Sequence, residues 1–206
     1  PLVKAILDRS ARYTSDRARL SRPADPTGDL AARAVFFTIA DAMKIAVPLG
    51  ELANRGGLPS ARPLRVIDLG AGCGAMSLGL VASVAAPLQI TAIDHDAAAL
   101  GIAAAAVRGY AARRDATVEI ATRTADATTA SLAACDLVVV GTLLNELPAA
   151  DRLAVTLRAL AAIGDDGAVV LVEPALRETS RGLDELRDEL LERRDASVFA
   201  PCTRQG

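Results

Sequence analysis

The stretch VIDLGAGCGAM, residues 66–76, sets three glycines into five positions behind a short apolar run and an aspartate. Glycine has no Cβ, so it adopts positive φ without strain and lets a ligand approach the main chain. If residues 64–69 (LRVIDL) form a strand, Gly70, Gly72 and Gly74 make the turn into a helix whose first N–H groups have no partner within it. Close contact and donors together suit a nucleotide-like ligand. The plain alternative is a tight turn with no ligand, and three glycines at this spacing argue against it.

Working outward, further apolar runs lie at 88–93 (LQITAI), 117–121 (TVEIA), 136–141 (DLVVVG) and 168–173 (AVVLVE), with a sixth candidate strand at 196–200 (ASVFA). Helix-length segments separate them, the pattern of a parallel sheet covered on both faces. The expected fold class is therefore α/β, a doubly wound, mostly parallel sheet. Residues 148–163 read as a helix started by Pro148 and Asp151 and stopped by Gly164, and 181–194 as another with Ser180 as its cap. Asp96 stands where a helix beginning AAALG needs its N-cap. Upstream, Val35, Phe36, Ile39, Ala40, Met43 and Val47 recur at three- and four-residue steps, a helix that Pro48 ends or kinks. SRPADPTGD (21–29) and NRGGLPSARP (54–63) read as turn-rich linkers. The expected organisation is an N-terminal helical extension or lid over 1–58 and one α/β domain over 59–206.

A chain of 206 residues buries one full-sized core, so no second independent domain is expected. The formal charge of -2 gives no general attraction to nucleic acid or anionic lipid, although residues 1–33 hold seven Lys or Arg against four Asp. Cys73, Cys135 and Cys202 are far apart and form no CxxC pair, which fits a reducing compartment and hence a cytoplasmic protein. No apolar run approaches the roughly 20 residues of a membrane span, and no leader is expected.

Two ligand classes compete for the glycine turn. Gly70-x-Gly72-x-x-Ala75 satisfies the loose dinucleotide fingerprint, with Asp94 at the spacing of a ribose-binding acid, so NAD is one reading. Against it, Asp68 sits where dinucleotide folds keep an apolar residue, and the pattern continues as Gly-x-Gly-x-Gly. DLGAGCG (68–74) resembles the first motif of the class I S-adenosylmethionine-dependent methyltransferases. The resemblance places Asp68, Gly70, Ala71, Gly72 and Gly74 in the cofactor site. TAIDHDAAAL (91–100) is similar to the second motif, which implies that Asp94 accepts from both ribose hydroxyls and that His95 lies against the adenine. A carboxylate suits that task because each oxygen accepts independently. RTADATT (123–129) implies that Asp126 accepts from the adenine amino group while the Ala127 backbone holds the ring. DLVVVGTLLNEL (136–147) implies Gly141, Thr142 and Leu143 near the methionine part. Cys73 and Cys135 read as small or core-filling residues.

Methyl transfer from a sulfonium depends heavily on alignment, so no catalytic residue is assigned. The tail of the fourth strand lacks an Asn/Asp-Pro-Pro-aromatic amine clamp, and Pro201-Cys202 is misplaced for a cytosine-C5 nucleophile. NELP (145–148), Glu173-Pro174 and Ala200-Pro201-Cys202 resemble the methyltransferase-like family of the mitochondrial small ribosomal subunit and its bacterial relatives. That resemblance implies a ribosomal small subunit, rRNA or ribosome-associated target as partner or acceptor, or an assembly role without chemistry. In that family further cysteines hold an iron-sulfur cluster; Arg204 stands at the family's histidine, and one cysteine cannot hold a cluster, so no metal site is expected within this chain. The resemblance also implies a seventh strand, for which no residues after 200 are sufficient.

Overall fold

The computed structural model describes residues 1–15, 23–54, 57–58 and 62–200. Five parallel strands form one sheet in the order β3-β2-β1-β4-β5: β1 (Leu64–Leu69), β2 (Leu88–Asp94), β3 (Val118–Thr124), β4 (Cys135–Gly141) and β5 (Ile163–Val172). The chain winds outward from β1 to β3 and then returns to place β4 on the other side of β1. That reversal opens a crevice at the carboxyl ends of the strands, where such sheets bind ligands. β4 is buried along its whole length and β1 at every position except Arg65, as strands covered on both faces must be.

Helices α5 (Ala75–Ser83), α6 (Ala97–Arg114), α7 (Ala149–Ala162) and α8 (Arg177–Arg193) follow strands β1, β2, β4 and β5. Two apolar layers result. One joins α5 and α6 to the sheet through Leu80, Val81, Leu100 and Val107, and the other joins α7 and α8 through Val155, Ala159, Leu186 and Leu190. The helix expected over 148–163 ends at Ala162, and Gly164–Gly167 bulges before Ala168 resumes register against Leu137. Ser180 is no cap, because α8 already begins at Arg177. Residues 196–200 form no strand, so the described residues hold five strands rather than six.

Ahead of the sheet run α1 (Leu2–Ser15), α2 (Pro26–Ala32), a π turn (Arg33–Phe37), α3 (Thr38–Ala42), a 3-10 turn (Met43–Ile45) and α4 (Ala46–Asn54). The stretch read as a linker at 21–29 is corrected in its second half. Asp25 accepts from the Gly28 N–H and Pro26 occupies the first turn, which starts a helix. Pro48 does not end the later helix, which runs on to Asn54. It has no N–H for the Lys44 carbonyl, and the tightened turn at 43–45 falls just before it. The face that docks is built from Thr38, Ala42, Ile45, Leu49 and Leu52, whereas Val35, Phe36, Ile39, Met43 and Val47 are exposed. Ile45, Leu49 and Leu52 belong to the same apolar layer as β1 and α5.

At the opposite rim of the sheet, Asp136 accepts from Arg62 and from both the side chain and backbone N–H of Arg65. Those bonds, Arg62 foremost, hold its carboxyl well below the usual range against the cost of burial. A depressed folded pKa means the contribution is complete above the unfolded value and is lost as pH falls. Asp136→Asn is therefore expected to lower stability at pH 7, with the deficit starting to shrink only below about pH 4 and closing in stronger acid, where the folded carboxyl is protonated, checked by urea unfolding across that range.

Among the described residues no helix is long and apolar enough to cross a membrane.

Candidate functional site

The turn after β1 takes positive φ at all three expected glycines, Gly70 (76°), Gly72 (51°) and Gly74 (89°). Their surroundings differ. A Cβ on Gly70 would stand 2.9 Å from the Leu143 side chain and one on Gly74 2.9 Å from Ala103, so both glycines permit close packing. A Cβ on Gly72 would meet nothing within 4 Å. Gly72 thus presents bare main chain to open space, the kind of surface a ligand can lie on.

β2 ends directly beside this turn. The Ile93 carbonyl accepts from the Gly70 and Ala71 N–H groups, and Asp94 Oδ2 accepts from the Gly72 N–H at 2.9 Å. Asp94 Oδ1 accepts from the Asp96 N–H at 2.9 Å. Each oxygen of this mostly buried carboxylate keeps capacity for a further donor. His95 points outward, its side chain 84% exposed and Nδ1 3.4 Å from Asp94. Asp96 caps α6 as expected, accepting from the Ala98 and Ala99 N–H groups, and also binds Arg33.

Asp68 lies under the turn, fully buried, its Oδ2 accepting from the Ser77 N–H at 3.0 Å and hydroxyl at 2.5 Å. Oδ1 has no hydrogen-bond partner. Burial pushes its pKa up to about 6 although the Ser77 bonds oppose this. An acid with a raised folded pKa stabilises fully below its unfolded value and loses that contribution as pH rises through the folded one. Asp68→Asn keeps an acceptor for Ser77 and removes the titration. Relative to the wild type it should gain up to roughly 3 kcal/mol between pH 4 and pH 7 in urea unfolding.

The loop after β3 carries Asp126, exposed, whose Oδ1 accepts from the Thr128 N–H and hydroxyl at 2.7 Å each. Those bonds hold it below the usual carboxylate range. Arg158 of α7 fixes this loop by donating to the Ala127 and Thr128 carbonyls. Gly141 is buried beneath Met76, with a Cβ position only 2.5 Å from its Cγ. Thr142 turns the chain with φ 55°, its N–H bonded to the Val172 carbonyl, and Leu143 packs on Gly70. The loop ends after β1, β2, β3 and β4 therefore gather all the expected residues on one rim of the sheet. Cys73 and Cys135 are buried free thiols, and Cys202 lies outside the described residues.

Three sets of contacts involve residues that carried no assigned role in the sequence. Glu173 accepts from the Leu144 and Asn145 N–H groups and from Asn145 Nδ2, which pins the turn after β4. The Tyr13 hydroxyl of α1 donates to Glu146 Oε1 at 2.9 Å. Asp29, buried, gathers Arg9, Arg12 and Arg33. NELP and Glu-Pro were visible as motifs, but nothing local announces that Tyr13 will meet a residue 133 positions away.

This sheet order, glycine turn and set of strand-end acids define the class I S-adenosylmethionine-dependent methyltransferase fold. Solved structures agree. The chain superimposes on an S-adenosylmethionine-dependent methyltransferase from Clostridium acetobutylicum with a TM-score of 0.51 at 14% identity, covering 70% of this chain and 55% of that one. A candidate S-adenosylmethionine-dependent methyltransferase from Methanococcus maripaludis gives 0.54 at 18%, covering 84% and 73%. One from Methanosarcina mazei gives 0.51 at 19%, covering 68% and 64%. The chain thus spans about half the length of the Clostridium protein. The chain belongs to the family described as mitochondrial small ribosomal subunit Rsm22, whose model matches residues 33–205. No curated protein matches it in sequence.

Proposed function

We propose that the protein is an S-adenosylmethionine-dependent methyltransferase. One observation carries this reading: Gly72 turns bare main chain to open space while its N–H is fixed on Asp94 at the end of the neighbouring strand. The residues suit the cofactor. Gly70, Ala71, Gly72 and Gly74 cradle it above Asp68, Asp94 accepts from the ribose hydroxyls, and His95 flanks the adenine. Asp126 uses its free Oδ2 on the adenine amino group with the Ala127 backbone against the ring. Gly141, Thr142 and Leu143 border the methionine part. The cofactor supplies an electrophilic methyl group; the protein's part is to orient it and exclude water around it. Residues 1–58 act as a lid that selects the acceptor, and 59–206 form the cofactor-binding domain. No residue is assigned to acid or base chemistry.

The dinucleotide reading is disfavoured by Gly74. A Cβ there would stand 2.9 Å from Ala103 of α6, a close approach that fits Gly-x-Gly-x-Gly. Calorimetry with S-adenosylhomocysteine and with NAD separates the two; binding of NAD alone would overturn the proposal.

The family description supports a narrower statement: the acceptor or partner is rRNA or another component of a ribosomal small subunit. A second reading, favoured by the same description, is an assembly factor that keeps the pocket without the chemistry. The basic N-terminal segment supports RNA contact weakly, because Arg9, Arg12 and Arg33 are already committed to Asp29. Incubating the protein with labelled S-adenosylmethionine and cell extract tests this. Label in RNA or protein supports the enzyme, and its absence from every fraction supports the assembly factor.

A further inference from the structure

Arg33 belongs to the N-terminal helices, yet its side chain ends on the loop that carries the proposed ribose acid. It closes α2 and opens the π turn Arg33–Phe37, in which the Thr38 N–H donates to the Arg33 carbonyl five residues back. A single π turn is a rare departure from regular helix and is found often at functional positions. The layer that presents Arg33 is packed on the sheet's own helices, since a Cβ on Gly79 of α5 would stand 1.9 Å from the Ala42 carbonyl oxygen. Arg33 Nη2 donates to Asp96 Oδ2, and Nε makes an ion pair with Asp29 Oδ2 at 3.3 Å without hydrogen-bond alignment. Asp96 divides its work between two oxygens. Oδ1 accepts from the Ala98 and Ala99 N–H groups at 3.1 Å each and starts α6, which leaves Oδ2 to the arginine. The Asp96 N–H donates to Asp94 Oδ1 at 2.9 Å, and Asp94 Oδ2 accepts from the Gly72 N–H at 2.9 Å. Three direct contacts in series therefore join Arg33 to Asp96, Asp96 to Asp94 and Asp94 to the glycine turn.

We infer that Arg33 is a positioning residue for the cofactor site: by holding Asp96 it keeps the Asp94 carboxylate in the orientation that accepts the ribose hydroxyls. The inference rests on the cofactor reading above and extends the site to a residue of the N-terminal helices. The physical reason is preorganisation. An N–H group steadies a carboxylate only as firmly as its own backbone is held, and the Asp96 backbone is held by the α6 cap on one side and by Arg33 on the other. Without the arginine, Asp96 Oδ2 loses its partner and the turn between β2 and α6 gains conformations that ligand binding must then select against. Arg33 also offsets the negative charge of Asp96, which stands two residues from that of Asp94 and repels it.

Calorimetry on the full chain with S-adenosylhomocysteine, run well below the unfolding midpoint of every variant, provides the test. Arg33→Met should weaken binding about fivefold, and Arg33→Lys, which keeps a cation for Asp96, should stay within about twofold of the wild type. Asp96→Asn retains a carbonyl to cap α6 but loses the ion pair, so it should match Arg33→Met, and the double variant should be no weaker than either alone. It also serves as the second variant where Arg33→Met does not fold. The decisive arm is the Asp94→Ala background. There, Arg33→Met should change affinity by less than about twofold, because the arginine has no ribose acid left to position. The same fivefold loss in that background, additive losses in the double variant, or unchanged affinity in Arg33→Met and Asp96→Asn overturns the inference while leaving the cofactor reading intact. Failure of the wild type to bind overturns the cofactor reading and this inference with it.

Discussion

Gly79→Ala is expected to lower the midpoint of thermal unfolding by about 5 °C, whereas Gly109→Ala raises it by about 2 °C. Both glycines lie inside helices, where alanine is favoured by up to about 1 kcal/mol per position. Packing decides the sign. A Cβ on Gly79 would stand 1.9 Å from the Ala42 carbonyl oxygen and 2.5 Å from the Ile45 side chain, where the N-terminal helices cross α5. The first obstacle is backbone, so the two helices must move apart, and overpacking of this kind costs about 1–3 kcal/mol or more. On exposed Gly109, as on Gly101, the added methyl meets nothing within 4 Å. A rise in midpoint for Gly79→Ala would show that residues 38–54 do not rest on α5 as described.

Asp94→Ala should weaken S-adenosylhomocysteine about 100-fold, the second large effect. Under the proposed reading the variant loses a charged acceptor for two hydroxyl donors, each bond to a charged group contributing about 1.5–3 kcal/mol. It also frees the Gly72 N–H that Asp94 Oδ2 holds, loosening the turn itself. Asp94→Asn keeps one carbonyl acceptor and should lose only about tenfold. Asp126→Ala should lose less than Asp94→Ala, because Asp126 is exposed and water can replace it. Calorimetry at fixed pH measures all three, and undiminished affinity in Asp94→Ala would count against the ribose assignment.

The sheet, the glycine turn and the strand-end acids were legible because each is written locally. A strand buried on both faces shows as VVV in β4, and a turn with positive φ shows as glycine. Asp96 was equally readable as a cap, since capping needs only the next three residues. What escaped depends on partners far along the chain. Periodicity marked Val35, Phe36, Ile39, Met43 and Val47 as helical, but the buried stripe is the neighbouring one, where small Ala42 and Thr38 permit the approach that Gly79 completes. Pro and Gly in DPTGD suggested a break because the same letters open a helix and fill a loop. The ASVFA run has strand composition yet pairs with nothing among the described residues, and composition alone supplies no neighbour. Tyr13 on Glu146, and Arg9 and Arg12 on Asp29, are tertiary meetings with no local trace.

Asp96 joins elements that the chain order keeps apart. Its side chain starts α6 and grips Arg33, while its own N–H hangs from Asp94. The N-terminal helices are thus tied to the tip of β2 through the one side chain that also starts α6. Moving those helices is therefore expected to disturb the α6 cap and the Asp94 carboxylate together.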